Sequence, residues 1–243
     1  MNILRLVFII LILTFCVGLF AQSAPAGKKL IEVIVRGSNE ASFGINDVVD
    51  GKMVNTFGPG VTISIPEYDT VATGETLIMD PNMNSVYTLV GNPKAVHPEN
   101  ILTSNVMNLY NNTSNVYLET IGNVKMVNTQ KPADSDTTVE ITTVTSDKGN
   151  YSYNKKEASF SSNVKAVRDS KTVWADDARY LEDTEVLYLN GNIDFRDSNN
   201  PELKSTKGID NGEMLLKDNT NTGVFYPKEG EYIELYFEFE VDE

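Results

Sequence analysis

The stretch Val116–Val127 reads VYLETIGNVKMV, and its pattern recurs on both sides of it. An alternating apolar run leads into a Gly-Asn pair, and a second alternating run leaves the pair. Related stretches are YTLVGNPKAV at Tyr87–Val96, SSNVKAV at Ser161–Val167 and LYLNGNIDFR at Leu187–Arg196. Gly and Asn adopt positive φ angles more readily than other residues do. We therefore predict that each pair is a corner that turns one strand into the next.

The runs that follow the corners alternate with period two. Val124 and Met126 flank Lys125, and Ile193 and Phe195 flank Asp194. A strand with this pattern has one dry face and one wet face. The residues that we predict to face inward are Leu118, Val124, Met126, Val164, Leu189, Ile193 and Phe195.

The N-terminus has the layout of a secretory signal. Arg5 precedes the apolar run Leu6–Phe20, and small residues follow within Ala21–Ala26. The run is shorter than the roughly 20 residues that span a bilayer comfortably. We expect residues 1–23 to be a cleaved signal peptide and residues 24–243 to form a single β domain. An uncleaved membrane anchor over the same run is the alternative.

Charge and motif content exclude several functions. The chain has 20 basic and 34 acidic residues, a net charge of −14 that becomes −15 once Arg5 is removed. Nucleic acid is therefore not an expected partner, because a phosphate backbone needs a basic footprint.

The sequence has none of the common hydrolase, P-loop or dinucleotide motifs. We predict no enzymatic activity, no cofactor and no metal site. We interpret His97 as a surface loop residue and Asp176-Asp177 as solvated loop carboxylates.

The spacing of the corners favours an antiparallel architecture. Residues 24–243 have no long helical periodicity, which predicts an all-β fold. The corner residues Asn92, Asn123, Asn163 and Asn192 are 31, 40 and 29 residues apart, whereas a parallel β-helix would repeat regularly at roughly 20–25 residues. Units of two strands fit an elongated antiparallel β-sandwich or one V-shaped sheet around a dry interior.

The two ends of the domain are predicted to be strand edges. Residues 231–241 alternate between apolar and acidic or tyrosine side chains, which predicts an acidic amphipathic C-terminal strand. Leu30–Arg36 also alternates. We expect these two segments to form the terminal edges of the sheet and to pair head to tail between molecules.

The recurrent pattern resembles the OstA-like domain family of lipopolysaccharide export. The resemblance rests on Tyr87–Val96, Val116–Val127, Trp174–Tyr180 and Leu187–Arg196, within a repeat region of about residues 75–226. The segments Gly37–Ile65 and Glu231–Glu243 do not match the family pattern.

The resemblance implies a twisted open β-jellyroll with a hydrophobic groove for acyl chains, lined by the inward-facing residues named above. It implies a periplasmic protein that carries a lipopolysaccharide-type lipid between an inner-membrane ABC export complex and an outer-membrane translocon, bridging the two membranes. Two alternatives remain open. One is a structural or adhesin-like exported β-repeat protein without a ligand, and the other is an LptC-like component that Leu6–Phe20 anchors in the membrane.

Overall fold

The computed structural model describes residues 32–35, 42–82, 86–98, 100–112, 115–130, 139–215 and 223–238. Regular structure within these residues consists of nineteen β-strands and one short 3-10 helix, Pro66–Tyr68. The predicted all-β class is therefore confirmed. The predicted signal peptide, residues 1–23, lies outside the described residues, and among the described ones no helix is long and apolar enough to cross a membrane.

The strands of the first half are β1 (Glu32–Val35), β2 (Ser42–Val49), β3 (Lys52–Gly58), β4 (Val61–Ile65), β5 (Thr70–Gly74), β6 (Thr76–Met79), β7 (Val86–Val90), β8 (Lys94–His97), β9 (Asn100–Thr103) and β10 (Val106–Asn112). Those of the second half are β11 (Asn115–Gln130), β12 (Val139–Ser152), β13 (Glu157–Arg168), β14 (Lys171–Leu181), β15 (Val186–Asp197), β16 (Leu203–Lys207), β17 (Ile209–Leu215), β18 (Gly223–Pro227) and β19 (Glu234–Phe237).

Seventeen of these strands form one antiparallel sheet with two layers. Layer one contains β2, β3, β6, β7 and β10 in hydrogen-bonded order. Layer two contains β1, β4, β5, β8 and β9. The long strands β11 to β15 belong to both layers, because one half of each pairs in layer one and the other half in layer two. β17 and β18 then extend layer one. The sheet is thus folded along a line of corners.

Three of the four predicted corners lie inside single strands, so the prediction that they turn one strand into the next is wrong there. The ladders of β11, β13 and β15 shift register at Gly122-Asn123, Ser162-Asn163 and Gly191-Asn192. Only Gly91-Asn92, which Pro93 follows, separates two strands, β7 and β8. Positive φ angles at these pairs produce β-bulges that bend a continuous strand from one layer into the other.

Side-chain hydrogen bonds join neighbouring corners. In three places the corner Asn of one strand donates its amide to the corner Asn or Asp of the strand beside it. The donor and acceptor pairs are Asn123 with Asn105 at 3.2 Å, Asn163 with Asp147 at 2.6 Å and Asn192 with Asp176 at 2.7 Å. Asp176 and Asp177 were predicted to be loop carboxylates, but both lie within β14, and Asp176 is part of this ladder.

The C-terminal strand also differs from its prediction. Of the described residues 231–238, only Glu234–Phe237 forms a strand, β19, and it pairs with β16 in a separate two-stranded sheet. Residues 239–241 lie outside the described part of the chain. The apolar side chains of Leu235 and Phe237 are 54% and 45% exposed, so alternation is not followed by burial here. Among the described strands, β18 pairs in register with β17 alone, so β18 is the strand that ends layer one on this side.

We predict that the corner glycines are required by conformation as well as by space. Gly191 has a φ of +74°, and a Cβ there would lie 2.6 Å from the Asp176 carboxylate. Ser162 holds the matching position of its corner with a φ of +65°. Gly191→Ala should lower the free energy of unfolding by about 1–3 kcal/mol, whereas Ser162→Gly should raise it by up to about 1 kcal/mol. Urea denaturation measures both changes, and shifts of the same sign would contradict this account of the corners.

Candidate functional site: the apolar interior

The inner face of layer two carries a continuous row of apolar side chains, one from each of its strands except β1. Strand pairing places each member directly opposite the next. The row runs through Ile63, Ala72, Ala95, Leu102, Met126, Val144, Ala166, Val173 and Phe195. All of them except Phe195 are at most 8% exposed. The row therefore forms one wall of a dry interior.

The inner face of layer one supplies the opposite wall. Its row is richer in aromatic residues and runs through Tyr87, Leu109, Leu118, Tyr151, Ala158, Tyr180, Leu187 and Met214. Both rows belong to a single hydrophobic core. The two layers therefore enclose one apolar interior that extends along the whole line of corners.

The structure brings the sequence-predicted site residues together on these walls. Six of them are only 1–2% exposed, namely Leu118, Val124, Met126, Val164, Leu189 and Ile193. Phe195 is half-buried, and its ring centroid lies 5.5 Å from that of Phe225 at the last strands of the sheet. Their inward orientation follows from the alternation that the sequence shows. That they contact a lipid stays a prediction.

The middle of the interior is filled by its own side chains. The space bounded by Ala95, Leu102, Leu118, Met126 and Phe160 measures only about 20 Å³. This is roughly the room for one water molecule. An acyl chain could therefore occupy the middle of the interior only if the two layers moved apart.

Aromatic contacts join the two layers along the margin opposite the corners. Tyr68, His97, Tyr151 and Tyr153 form this group, which we call the aromatic clasp. The ring of Tyr68 stacks on that of Tyr153 at 4.8 Å, and the ring of His97 lies 5.6 Å from that of Tyr151. Burial raises the pKa of both Tyr151 and Tyr153, so both phenols stay protonated and neutral. The clasp holds the margins together without a buried charge on its tyrosines.

His97 was predicted to lie in a surface loop, and this is wrong. It is the last residue of β8, and its Nδ1 is buried, without a hydrogen-bond partner among the described residues and 3.9 Å from the Glu182 carboxylate. The Tyr151 hydroxyl donates to the same carboxylate. Across the described ranges, no group of three His, Cys, Asp or Glu side chains could hold a metal ion. The adjacent Pro98 suggested a loop, and no local signal indicated that the margin of layer one packs over this histidine.

A pocket of about 380 Å³ lies where the last strands of the sheet meet. Phe195, Met214, Leu215 and Phe225 supply an apolar lining, and the basic residues Arg168 and Lys171 complete it. The sequence pattern predicted Phe195 as an inward-facing residue but did not single out Arg168. Arg168 ends an alternating strand, where a surface arginine would look the same in sequence. The interior is therefore open at this end and closed in its middle.

The outer face of layer one has a different character. A groove of about 820 Å³ crosses it over two registered rows of side chains. One row reads Glu119, Asn150, Ser159, Arg179, Tyr188 and Glu213. The exposed apolar side chains of Ile121 and Tyr226 also line the groove, but neither registered row is continuously apolar, unlike the rows of the interior. The apolar interior and its 380 Å³ pocket are therefore the candidate site for a lipid.

Comparison with known proteins gives limited matches. No protein-family model matches the sequence, and no curated protein matches it. Among solved structures, the chain is similar to LptH, the LptA-homologous periplasmic component of the conserved lipopolysaccharide transport device of Pseudomonas aeruginosa. The match has 14% sequence identity and a TM-score of 0.45, and it covers 54% of this chain and 95% of that chain. Nearly half of the present chain thus lies outside the match.

Proposed function

We propose that this protein transports a lipid by shielding its acyl chains between the two layers of the folded sheet. The observation that carries the proposal is the pair of registered apolar rows, which end in the pocket beside Phe195 and Phe225. An interior of this kind supplies what sealing an acyl chain from water requires, and it needs no catalytic group. The pocket volume falls within the range of small-ligand sites.

The filled interior is consistent with a carrier that must release its bound lipid as well as bind it. Burying a methylene group gains about 0.8 kcal/mol, so complete burial of a 12-carbon chain in an empty groove would gain roughly 10 kcal/mol. A lipid held that tightly would scarcely leave. In this protein the incoming chain displaces contacts that the two layers already make, such as the stacking of Tyr68 on Tyr153. The lost contacts offset the gain and allow handover to a next carrier.

The lipid, location and partners that we propose follow the family resemblance. The protein would work in the periplasm on a lipopolysaccharide-type lipid, receive it from an inner-membrane ABC export complex and pass it to an outer-membrane translocon. Copies stacked head to tail would bridge the two membranes. In layer one the terminal strands are β2 and β18, and each has one hydrogen-bonded neighbour among the described strands. Such edges can pair with another chain.

Two other functions remain as alternatives. The filled middle of the interior, with only about 20 Å³ of free space, favours a structural or adhesin-like β-repeat protein whose core binds nothing. An LptC-like anchored component would retain Leu6–Phe20, a segment outside the described residues. Lipid capture separates the carrier from the first alternative, and N-terminal sequencing of the exported protein separates it from the second.

Lipid capture can be tested with a photo-crosslinking phenylalanine analogue. Phe195 lies on the inner face of layer two, and Trp174 lies on the outer face of the same layer in the neighbouring strand. Under illumination in cells, the analogue at 195 should form a lipid adduct, and the matched analogue at 174 should not. Mass spectrometry of the purified protein detects the adduct. Adducts from 174 alone would show that the faces are reversed. The absence of adducts both from 195 and from a third analogue, placed at the inward-facing position of Met126, would contradict lipid transport.

Head-to-tail assembly can be tested at the free edge of β18. Val224 in β18 is 47% exposed, and Val71 in the interior strand β5 is 40% exposed. Val224→Asp should abolish oligomers, because an acidic residue on an edge strand disfavours pairing with another acidic chain. Val71→Asp adds the same charge away from the edge and should leave oligomers intact. Sedimentation velocity over a concentration series measures both, and a monomeric wild-type protein or equal behaviour of the two variants would contradict assembly through β18.

A further inference from the structure

Arg168 connects the two layers at the end of the interior. It is the last residue of β13, on the margin of layer two, and it is only 2% exposed. Its Nη1 donates a hydrogen bond of 2.9 Å to the carbonyl oxygen of Leu215, the last residue of β17 in layer one. The two residues are 47 positions apart in sequence. The guanidinium group is therefore held in place by a contact across the margin.

The other two nitrogens of the guanidinium group have no hydrogen-bond partner among the described residues. Nε and Nη2 of Arg168 are buried, and neither makes a hydrogen bond to any described residue. Burial lowers the pKa of the group, while the nearby charges of Asp169 and Glu185 act in the opposite direction without forming a hydrogen bond to these two nitrogens. Buried N–H groups of a cation are normally satisfied, because leaving them unpaired is costly. An acceptor that is not part of the described chain would remove this cost.

The two unpaired nitrogens form one edge of the guanidinium plane. The Nε–Nη2 edge presents two parallel N–H groups that match two oxygens of a carboxylate or phosphate. The same residue lines the 380 Å³ pocket, together with Lys171 and the apolar side chains of Phe195, Met214 and Phe225. The pocket thus places a bidentate anion receptor beside an apolar surface.

We propose that this pocket binds the headgroup of an anionic amphiphile, a phosphate or carboxylate attached to an acyl chain. The acidic group would accept hydrogen bonds from Nε and Nη2 of Arg168, and the first methylenes would lie against Phe195 and Phe225. The proposal rests on the proposed lipid-transport function and names the chemical class of lipid. The protein has a net charge of −14, but the two charged residues that line the pocket in the described part of the chain, Arg168 and Lys171, are both basic.

Calorimetric titration of the purified protein with three probes tests the proposal. The probes are dodecyl phosphate and dodecanol, both below the concentration at which they aggregate, and inorganic phosphate. Dodecyl phosphate should bind at least tenfold more tightly than either of the others. Arg168→Gln should weaken dodecyl phosphate binding about 10- to 100-fold, the range expected for hydrogen bonds to a charged group, and leave dodecanol binding unchanged. Lys165→Gln removes the same charge from an exposed position of the same strand and should change neither affinity.

The wild-type titrations test the headgroup site even if Arg168→Gln does not fold. Equal affinity for dodecyl phosphate and dodecanol would overturn the headgroup site and leave lipid transport standing. Inorganic phosphate that binds as tightly as dodecyl phosphate would overturn it in favour of a free-anion site. An equal loss of dodecyl phosphate affinity in Lys165→Gln would show general electrostatics and also overturn it. Tight dodecyl phosphate binding without lipid adducts at 195 and 126 would instead support the headgroup site and contradict the transport function.

Discussion

The bend in every long strand is the constraint on which the rest of the structure depends. A flat antiparallel sheet of this length would leave one apolar face exposed to water. The bulges at Gly122-Asn123, Ser162-Asn163 and Gly191-Asn192 fold the sheet over, so that each of the long strands β11 to β15 contributes to both walls of the interior. The amide-to-carboxylate bonds, such as that from Asn192 to Asp176, align neighbouring bends. One set of local conformations thus produces the whole apolar interior.

Side-chain contacts close the interior at the margin opposite the corners. At the corners the two layers are covalently continuous, whereas at the opposite margin they meet through the aromatic clasp and the contact between Arg168 and Leu215. These contacts are few, and each joins residues that lie on different layers. In the proposed function, this margin is where the layers would separate to admit an acyl chain.

Local sequence pattern was sufficient to predict the all-β class and the inward-facing residues, but not where the strands begin and end. Period-two alternation around Lys125 and Asp194 is a local property, and burial of Met126 and Ile193 follows directly from it. The sequence revealed only one partner of each hydrogen bond between corners. Those with Gly-Asn could be recognised, but their partners Asn105, Asp147 and Asp176 follow Ser or Ala and look like ordinary polar residues.

The errors arose where long-range contacts decide the outcome. His97 looks like a loop residue beside Pro98, yet Tyr151 and Tyr153 from the other layer cover it. Arg168 has no local signature, because its role depends on Leu215 and on the pocket beyond it. The C-terminal alternation predicted a buried face, but β19 pairs only with β16 and has no second layer over it among the described residues. Alternation predicts which residues share a face, and tertiary packing decides whether that face is covered.

The central claim is that the acyl chain enters the space between the layers. Methyl NMR spectroscopy in the presence of a spin-labelled fatty acid tests it most directly, because the nitroxide broadens signals of nearby groups. We expect strong broadening of the inner methyl groups of Leu118, Met126 and Leu189, while those of Val71 and Val96, exposed on the outer face of layer two, remain sharp. Broadening confined to Val71 and Val96, or absent from the inner methyl groups, would contradict it.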